Sequence, residues 1–338
     1  EEDHAVRRVR KVPQKEGEES MKRILTLISA ALLCCTLLAS CGAPQADDGR
    51  VQVVATLFPQ YDFAKNIAGD RADVTLLLDF GADAHTYDPT PADILQIARA
   101  DLFIYTGDGM ELWAKKLLAS ADIADAVARG SLRVLDLSAV VPLLPADHSG
   151  AEEEHEHDDH DHDESDPHIW TSIANAETMC AAISDALAAL DADGAETYAA
   201  NLAAYTAKLD ALDAQMQAVR TAAVRDTVCF GGSFAFVYLF DEYNLAHRAV
   251  FSGCASHTEA SPAAMLALVN AVRESGVPAV LYDSPSEEKT ATAIAAETGT
   301  EVLRLHAIHN ITKGEYDAGE DYLSLMAKNI EVLKEVLD

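Results

Sequence analysis

Between Ala195 and Arg220 the apolar residues Tyr198, Leu202, Tyr205, Leu209, Leu212, Met216 and Val219 recur at alternating steps of four and three. That spacing predicts one unbroken helix with a single apolar seam. At ~1.5 Å per residue its 26 residues would span about 39 Å, enough to run the length of a two-lobed molecule. A coiled-coil dimer is the competing reading of the same seam. On both sides of it, short β-branched runs alternate with helical patterns. Before the seam the strand candidates are 51–56, 74–78, 102–106 and 132–137, with helices at 59–68, after the Thr90-Pro91 start, at 110–118 and from 175. After it, strands are expected at 227–230, 248–251, 279–282 and 301–305. The matching helices are 236–243, 262–274, 289–298 and 321–337. Such alternation is the mark of parallel βαβ units. The expected fold is therefore α/β, two βα lobes with parallel sheets joined by the long helix, with the ligand site in the cleft between them.

The chain of 338 residues carries 25 basic and 56 acidic side chains, a formal charge of −31. So acidic a surface excludes nucleic acid and anionic membrane faces as partners, because binding phosphate needs positive charge. Hydrophobic residues at 49% exclude wholesale disorder. Residues 1–20 are polar and of mixed charge, and read as an unstructured upstream extension. Met21 is followed by Lys22, Arg23 and an apolar run from Ile24 to Leu38, the pattern of an export signal over 21–40. The run is shorter than the ~20 residues a membrane span needs. Leu38-Ala39-Ser40-Cys41 resembles the lipobox of bacterial lipoproteins, which implies a mature chain that starts at Cys41 and carries lipid there. The remaining divisions are a tether at 41–50, an N-terminal βα lobe at 51–146 and an acidic His-rich loop at 147–167. They continue with a helical part of the first lobe at 168–194, the linking helix at 195–223 and a C-terminal βα lobe at 224–338. Of the exported cysteines, Cys229 and Cys254 are candidates to pair, while burial of Cys180, Cys229 and Cys254 as small apolar groups is the favoured reading.

Six of the 12 histidines fall between 148 and 168. Residues 147–168 hold eleven acids and no lysine or arginine, so no packed core can form from them. Imidazoles interleaved with carboxylates point to cation capture, with His148, His155, His157, His160 and His162 as an accessory metal-gathering set. No thiolate is present, so such sites would be labile. A fixed site is expected where histidines sit in constrained surroundings. One is the turn-rich Gly81-Ala82-Asp83-Ala84-His85-Thr86-Tyr87-Asp88-Pro89-Thr90-Pro91. Another is Asp166-Pro167-His168-Ile169-Trp170, and a third is Leu305-His306-Ala307-Ile308-His309-Asn310 after the last strand.

Over nearly all of 51–338 these motifs resemble the zinc- and manganese-binding lipoproteins of bacterial ABC importers, the cluster A-I, ZnuA/AdcA-like substrate-binding proteins. The resemblance implies that His85 and His168 are ligands. The His-rich insertion is similar to that of the zinc members. Ser256–Pro262 resembles the family's Glu-Pro-Ser stretch, with Ala260 where proline is usual, and Tyr322–Met326 resembles its C-terminal helix. Two positions depart from the pattern. Ser233 stands where the family has a histidine or glutamate ligand, and His309 falls at the family's closing Asp or Glu. The implied set is His85, His168 and His309, with His306 able to support or replace His309. The fourth position is left to water, a nearby group or a loop histidine. By resemblance the cargo is Zn²⁺, the partner is a membrane permease with its ATPase, and the chain is an extracytoplasmic monomer without catalytic residues. The rivals are a manganese carrier, a secreted zinc hydrolase using Glu259 or Glu287 as base, and a zinc buffer or adhesin without a permease. Nitrogen ligands argue against manganese, and the absence of a His-Glu-x-x-His run argues against the hydrolase.

Overall fold

A computed structural model describes residues 49–146, 165–251 and 260–338. Residues 50–338 form one compact unit. Cys41, Cys254, the Ser256–Glu259 part of the Glu-Pro-Ser-like stretch, and His148, His155, His157, His160 and His162 lie outside the described residues.

Each half contains a four-stranded parallel sheet. The first has β1 (Val51–Ala55), β2 (Ala72–Leu76), β3 (Leu102–Tyr105) and β4 (Arg133–Asp136) in the order β2-β1-β3-β4. The second has β5 (Thr227–Phe230), β6 (Ala246–Ala249), β7 (Ala279–Tyr282) and β8 (Glu301–Arg304) in the order β6-β5-β7-β8. The two sheets share one topology. In each, the chain direction across the sheet reverses between the first and third strands, and that is where open α/β sheets bind ligands, beyond the carboxyl ends of the strands. The central strands are buried on both faces, which explains their continuous apolar character. Val53 and Ala55 face the main core, while Val54 faces a smaller cluster with Phe103, Tyr105 and Ile123.

The helices are α1 (Phe58–Ala68), α2 (Pro91–Arg99), α3 (Leu112–Leu118), α4 (Ala121–Arg129), α5 (Ile173–Leu190) and α6 (Ala195–Ala222), then α7 (Val237–Glu242), α8 (Pro262–Ser275), α9 (Glu288–Thr298), α10 (Lys313–Asp317) and α11 (Tyr322–Leu337). Thr90 and Asp93 close a reciprocal capping box at the start of α2, with Pro91 in its first turn. Helices α4 and α10 escape the sequence pattern, and strands β2 and β6 each lie two residues earlier than expected. Helix α4 is short, and of its nine residues only Ile123 and Ala126 are buried. Strand β6 is an edge strand, and an edge tolerates the polar His247 and Arg248.

The seam of α6 is consumed within the chain. Tyr198, Tyr205, Leu209, Leu212, Met216 and Val219 are buried, and α6 packs on α1, α5 and α11. The face a coiled-coil partner would need is therefore already covered. Helix α5 is long and apolar enough to cross a membrane, but Met179, Cys180 and Ile183 are fully buried in the protein core. Cys180 and Cys229 are buried free thiols. One apolar cluster runs from β1 through α1, α5 and α6 to β5 and α11, so the lobes share a core along one side and open toward the other. Leu209 sits at 0% exposure in that shared core. Leu209→Ala is expected to cost about 2–5 kcal/mol, read as a lower urea midpoint with an unchanged slope.

Candidate metal centre

The histidine-bearing loops all leave the carboxyl ends of strands and meet between the lobes. His85 lies in the loop between β2 and α2, His168 follows the His-rich segment, and His309 follows β8. They line one cavity of about 440 Å³ with Ser233, Glu287 and His306 among the other walls.

His168 is wholly buried. Its Nδ1 lies 3.0 Å from Asp166 Oδ1, and the same oxygen accepts the His168 backbone N–H at 2.9 Å. A carboxylate can only accept, so Nδ1 carries the proton and Nε2 keeps its lone pair. A carboxylate behind an imidazole is the arrangement that orients a metal-binding histidine and raises its basicity. Pro167 separates the two residues and stiffens the turn that closes this pair. The segment is then pinned to the second lobe. Trp170 Nε1 donates to Ala307 O at 2.8 Å, Tyr322 Oη donates to Trp170 O at 2.6 Å, and Tyr238 Oη donates to Asp166 O at 2.8 Å.

His85 is partly exposed, and its backbone N–H is held by Asp83 Oδ1 at 2.9 Å. Its loop is tied to the loop of His309. Asn310 Nδ2 donates to Asp79 O and Ala82 O, both at 2.8 Å, and Gly81 N donates to Ile311 O at 2.9 Å. The residue beside His309 thus fixes the backbone that carries His85.

His309 presents a buried Nδ1 with no hydrogen-bond partner. An orphaned ring nitrogen is costly unless something else satisfies it. Ile308, just before it, has φ of +62°, a left-handed conformation that β-branched residues avoid. The strain, of order 1–3 kcal/mol, turns the chain so that His309 enters the cavity. His306 supports that turn: its Nδ1 accepts the Ile308 N–H at 2.9 Å, and Asn329 clamps its backbone through two 2.8 Å bonds.

The sequence leaves His306 to support or replace His309, and its contacts bear on that choice. With Nδ1 accepting from Ile308, the proton sits on Nε2, which faces Glu315 Oε1 at 3.6 Å. In that tautomer neither nitrogen offers a spare lone pair, and the bond to the Ile308 N–H sets His306 behind the turn that carries His309.

The ring centres of His85 and His168 are 5.6 Å apart, and those of His85 and His309 are 5.8 Å apart. A zinc–nitrogen bond of about 2.0–2.1 Å puts each ring centre roughly 3.2 Å from the ion, so two tetrahedral imidazoles have centres about 5.2 Å apart. Among the described residues no three His, Cys, Asp or Glu side chains already stand as a closed ligand group. For His85 with each of the other two the gap is about half an ångström, within reach of a small rotation about the side-chain bonds. Ser233 is buried, and its Oγ has no partner. Asp166, Asn310 and Glu315 were not legible as functional residues one at a time, although the Asp166-Pro167-His168 spacing carried the signal for the first.

Two matching lobes with strand ends and polar side chains facing a shared cleft are the architecture of a two-lobed substrate-binding protein. The family model for the zinc-uptake complex component A, periplasmic, matches residues 53–336, and the chain belongs to that family. The zinc-binding lipoprotein AdcA of Streptococcus pneumoniae is 33% identical over 325 residues, covering 94% of this chain and 62% of that protein. The chain therefore spans less than two thirds of that relative's length. The high-affinity zinc uptake system protein ZnuA of Bacillus subtilis is 32% identical over 314 residues, 90% of this chain and 95% of that one. The crystal structure of the Zn(II)-bound ZnuA-like domain of Streptococcus pneumoniae AdcA superposes with a TM-score of 0.72 at 30% identity, over 86% of this chain and 100% of that domain.

Burial, then the neighbouring His85 and His168, holds His309 well below the ordinary histidine range. Burial, then Arg304, pushes His306 down to about 4. Both are thus kept neutral in the folded protein. An unfolded chain takes up these protons near pH 6.5 and the folded one only at lower pH. The stability they contribute is complete above about pH 6.5 and is lost as pH falls toward 4. Thermal melts of metal-free protein are expected to show a lower midpoint at pH 5 than at pH 7.5, and His306→Gln is expected to reduce that difference.

Proposed function

We propose that this protein captures Zn²⁺ outside the cytoplasm and hands it to the permease of an ABC importer driven by its ATPase. The observation that carries the reading is the convergence of three histidines from three loops and both lobes on one cavity. His85, His168 and His309 are the ligands. Each is aimed before the ion arrives, His85 by the Asn310 tie, His168 by Asp166 and His309 by the strained Ile308 turn. Preorganised neutral imidazoles favour Zn²⁺ over Ca²⁺ and Mg²⁺, which prefer oxygen.

The acidic His-rich segment raises the local Zn²⁺ concentration through His148, His155, His157, His160 and His162. Its carboxylates attract the cation and its imidazoles bind it weakly. Cys41 carries the lipid that holds the mature, monomeric protein at the membrane surface. Docking on the permease then separates the cross-lobe contacts and releases the ion. The protein uses binding, not bond-making chemistry, for this task.

Calorimetry with Zn²⁺ at pH 7.5 tests the ligand set. His85→Ala, His168→Ala and His309→Ala are each expected to weaken binding by more than about 100-fold, and Asp166→Asn by about 10–100-fold. Deletion of 148–163 is expected to remove weak sites and spare the tight one. Affinity of the intact protein is expected to fall as pH is lowered, because a protonated imidazole cannot ligate, with His309 lost as a ligand only well below the ordinary histidine range. Unchanged affinity between pH 7.5 and about 4 contradicts the assignment.

A further inference from the structure

Three histidines leave a fourth coordination position open, and Ser233 is a neutral hydroxyl unsuited to fill it. We infer that Glu287 supplies the missing ligand through a carboxylate oxygen, a reading that rests on His85, His168 and His309 holding the ion.

The two lobes provide the comparison. Glu111 follows β3 in the first lobe, and Glu287 follows β7 in the second, at the equivalent reversal point of each sheet. Glu111 is fully employed. Its oxygens accept from Thr56 Oγ1 at 2.5 Å, Thr106 Oγ1 at 3.0 Å, and the Thr106 and Gly107 N–H groups at 3.2 Å. Glu287 is half employed. Oε1 accepts the Ser233 N–H at 2.7 Å, while Oε2 is buried without a partner. A buried carboxylate oxygen left with nothing to accept is expensive unless a cation or donor reaches it.

The chain is shaped to bring this group in. Gly231 and Gly232 end β5. A Cβ on Gly232 would stand 2.2 Å from the Glu287 carboxylate, and one on Gly231 would stand 2.4 Å from the Ala291 backbone in α9. Two residues without side chains thus allow the start of α9 to approach the strand end, and the carboxylate occupies the space this frees. Its orphan Oε2 belongs to the same cavity wall as Ser233 Oγ and His309 Nδ1, the other orphaned atoms along that wall apart from His306 Nε2, which faces Glu315.

Charge points the same way. Three neutral imidazoles contribute no charge to offset a bound dication in a recess between the lobes, where unpaired charge is costly. Asp166 behind His168 provides one negative charge. Glu287 in direct contact provides a second. With Oε1 anchored to the backbone, Oε2 is left to bind in monodentate fashion.

Competition titration of Zn²⁺ against a chelator at pH 7.5 tests the inference. Glu287→Gln keeps the shape and the acceptor for Ser233 N–H, so the metal-free melting midpoint is expected to hold. Zinc affinity is expected to fall at least about 10-fold. In crystals of the zinc-loaded wild-type protein, Glu287 Oε2 is expected about 2.0–2.2 Å from the ion. Affinity in Glu287→Gln equal to wild type, or a Glu287 carboxylate beyond 3 Å from the bound zinc, overturns the inference and leaves the histidine set standing. Unchanged affinity in His168→Ala in the same series would instead remove the reading beneath it.

Discussion

Asn310 makes two hydrogen bonds from a single amide nitrogen, to Asp79 O and Ala82 O, and on them depends the register of the cleft. The loop of His85 has no regular structure of its own and is long enough to wander. The amide ties it to the chain that carries His309, so two imidazoles from different lobes are placed by one side chain. The same logic repeats at His168, where Trp170, Tyr238 and Tyr322 bond its segment to the second lobe. The metal centre is thus held by cross-lobe hydrogen bonds more than by the sheets beneath it. A site built this way is rigid when the lobes are together and is dismantled when they part, which suits capture followed by release.

The shared core sets how far they can part. Helices α5, α6 and α11 pack both lobes along one side with apolar residues at full burial. The Asn310 and Gly81 bonds lie beside the cavity, while those of Trp170, Tyr238 and Tyr322 are buried in the shared core. Breaking several hydrogen bonds costs a few kcal/mol when water replaces the partners, since each is worth about 0.5–1.5 kcal/mol net. Docking on a partner protein can supply that, whereas the core packing would require far more.

Much of the fold could be read from the chain because its local signals agree with its tertiary structure. The 4-3 seam of α6, the Thr90-Pro91-Asp93 start of α2 and the β-branched central strands each obey rules of short range. Helix α4 and strand β6 did not announce themselves, one being short with only two buried side chains and the other lying at a polar edge. The histidine motifs gave the position of the centre, since constrained loops at strand ends are where ligands collect. They could not rank His306 against His309, because that depends on which nitrogen already has a partner, a fact of three dimensions. Glu287 was equally obscure. Nothing in Ser286-Glu287-Glu288 separates a solvated acid from one held against Gly232, and only the close approach of α9 to Gly231 and Gly232 makes the difference.

The claim at the centre is that three imidazoles share one ion. X-ray absorption fine structure at the zinc edge, on protein loaded with one equivalent, counts them directly through the outer-atom scattering of the rings. Three imidazoles at about 2.0–2.1 Å are expected in the intact protein, falling to two in His309→Ala. A wild-type spectrum with one imidazole or none, or one unchanged by the loss of His309, would contradict the account.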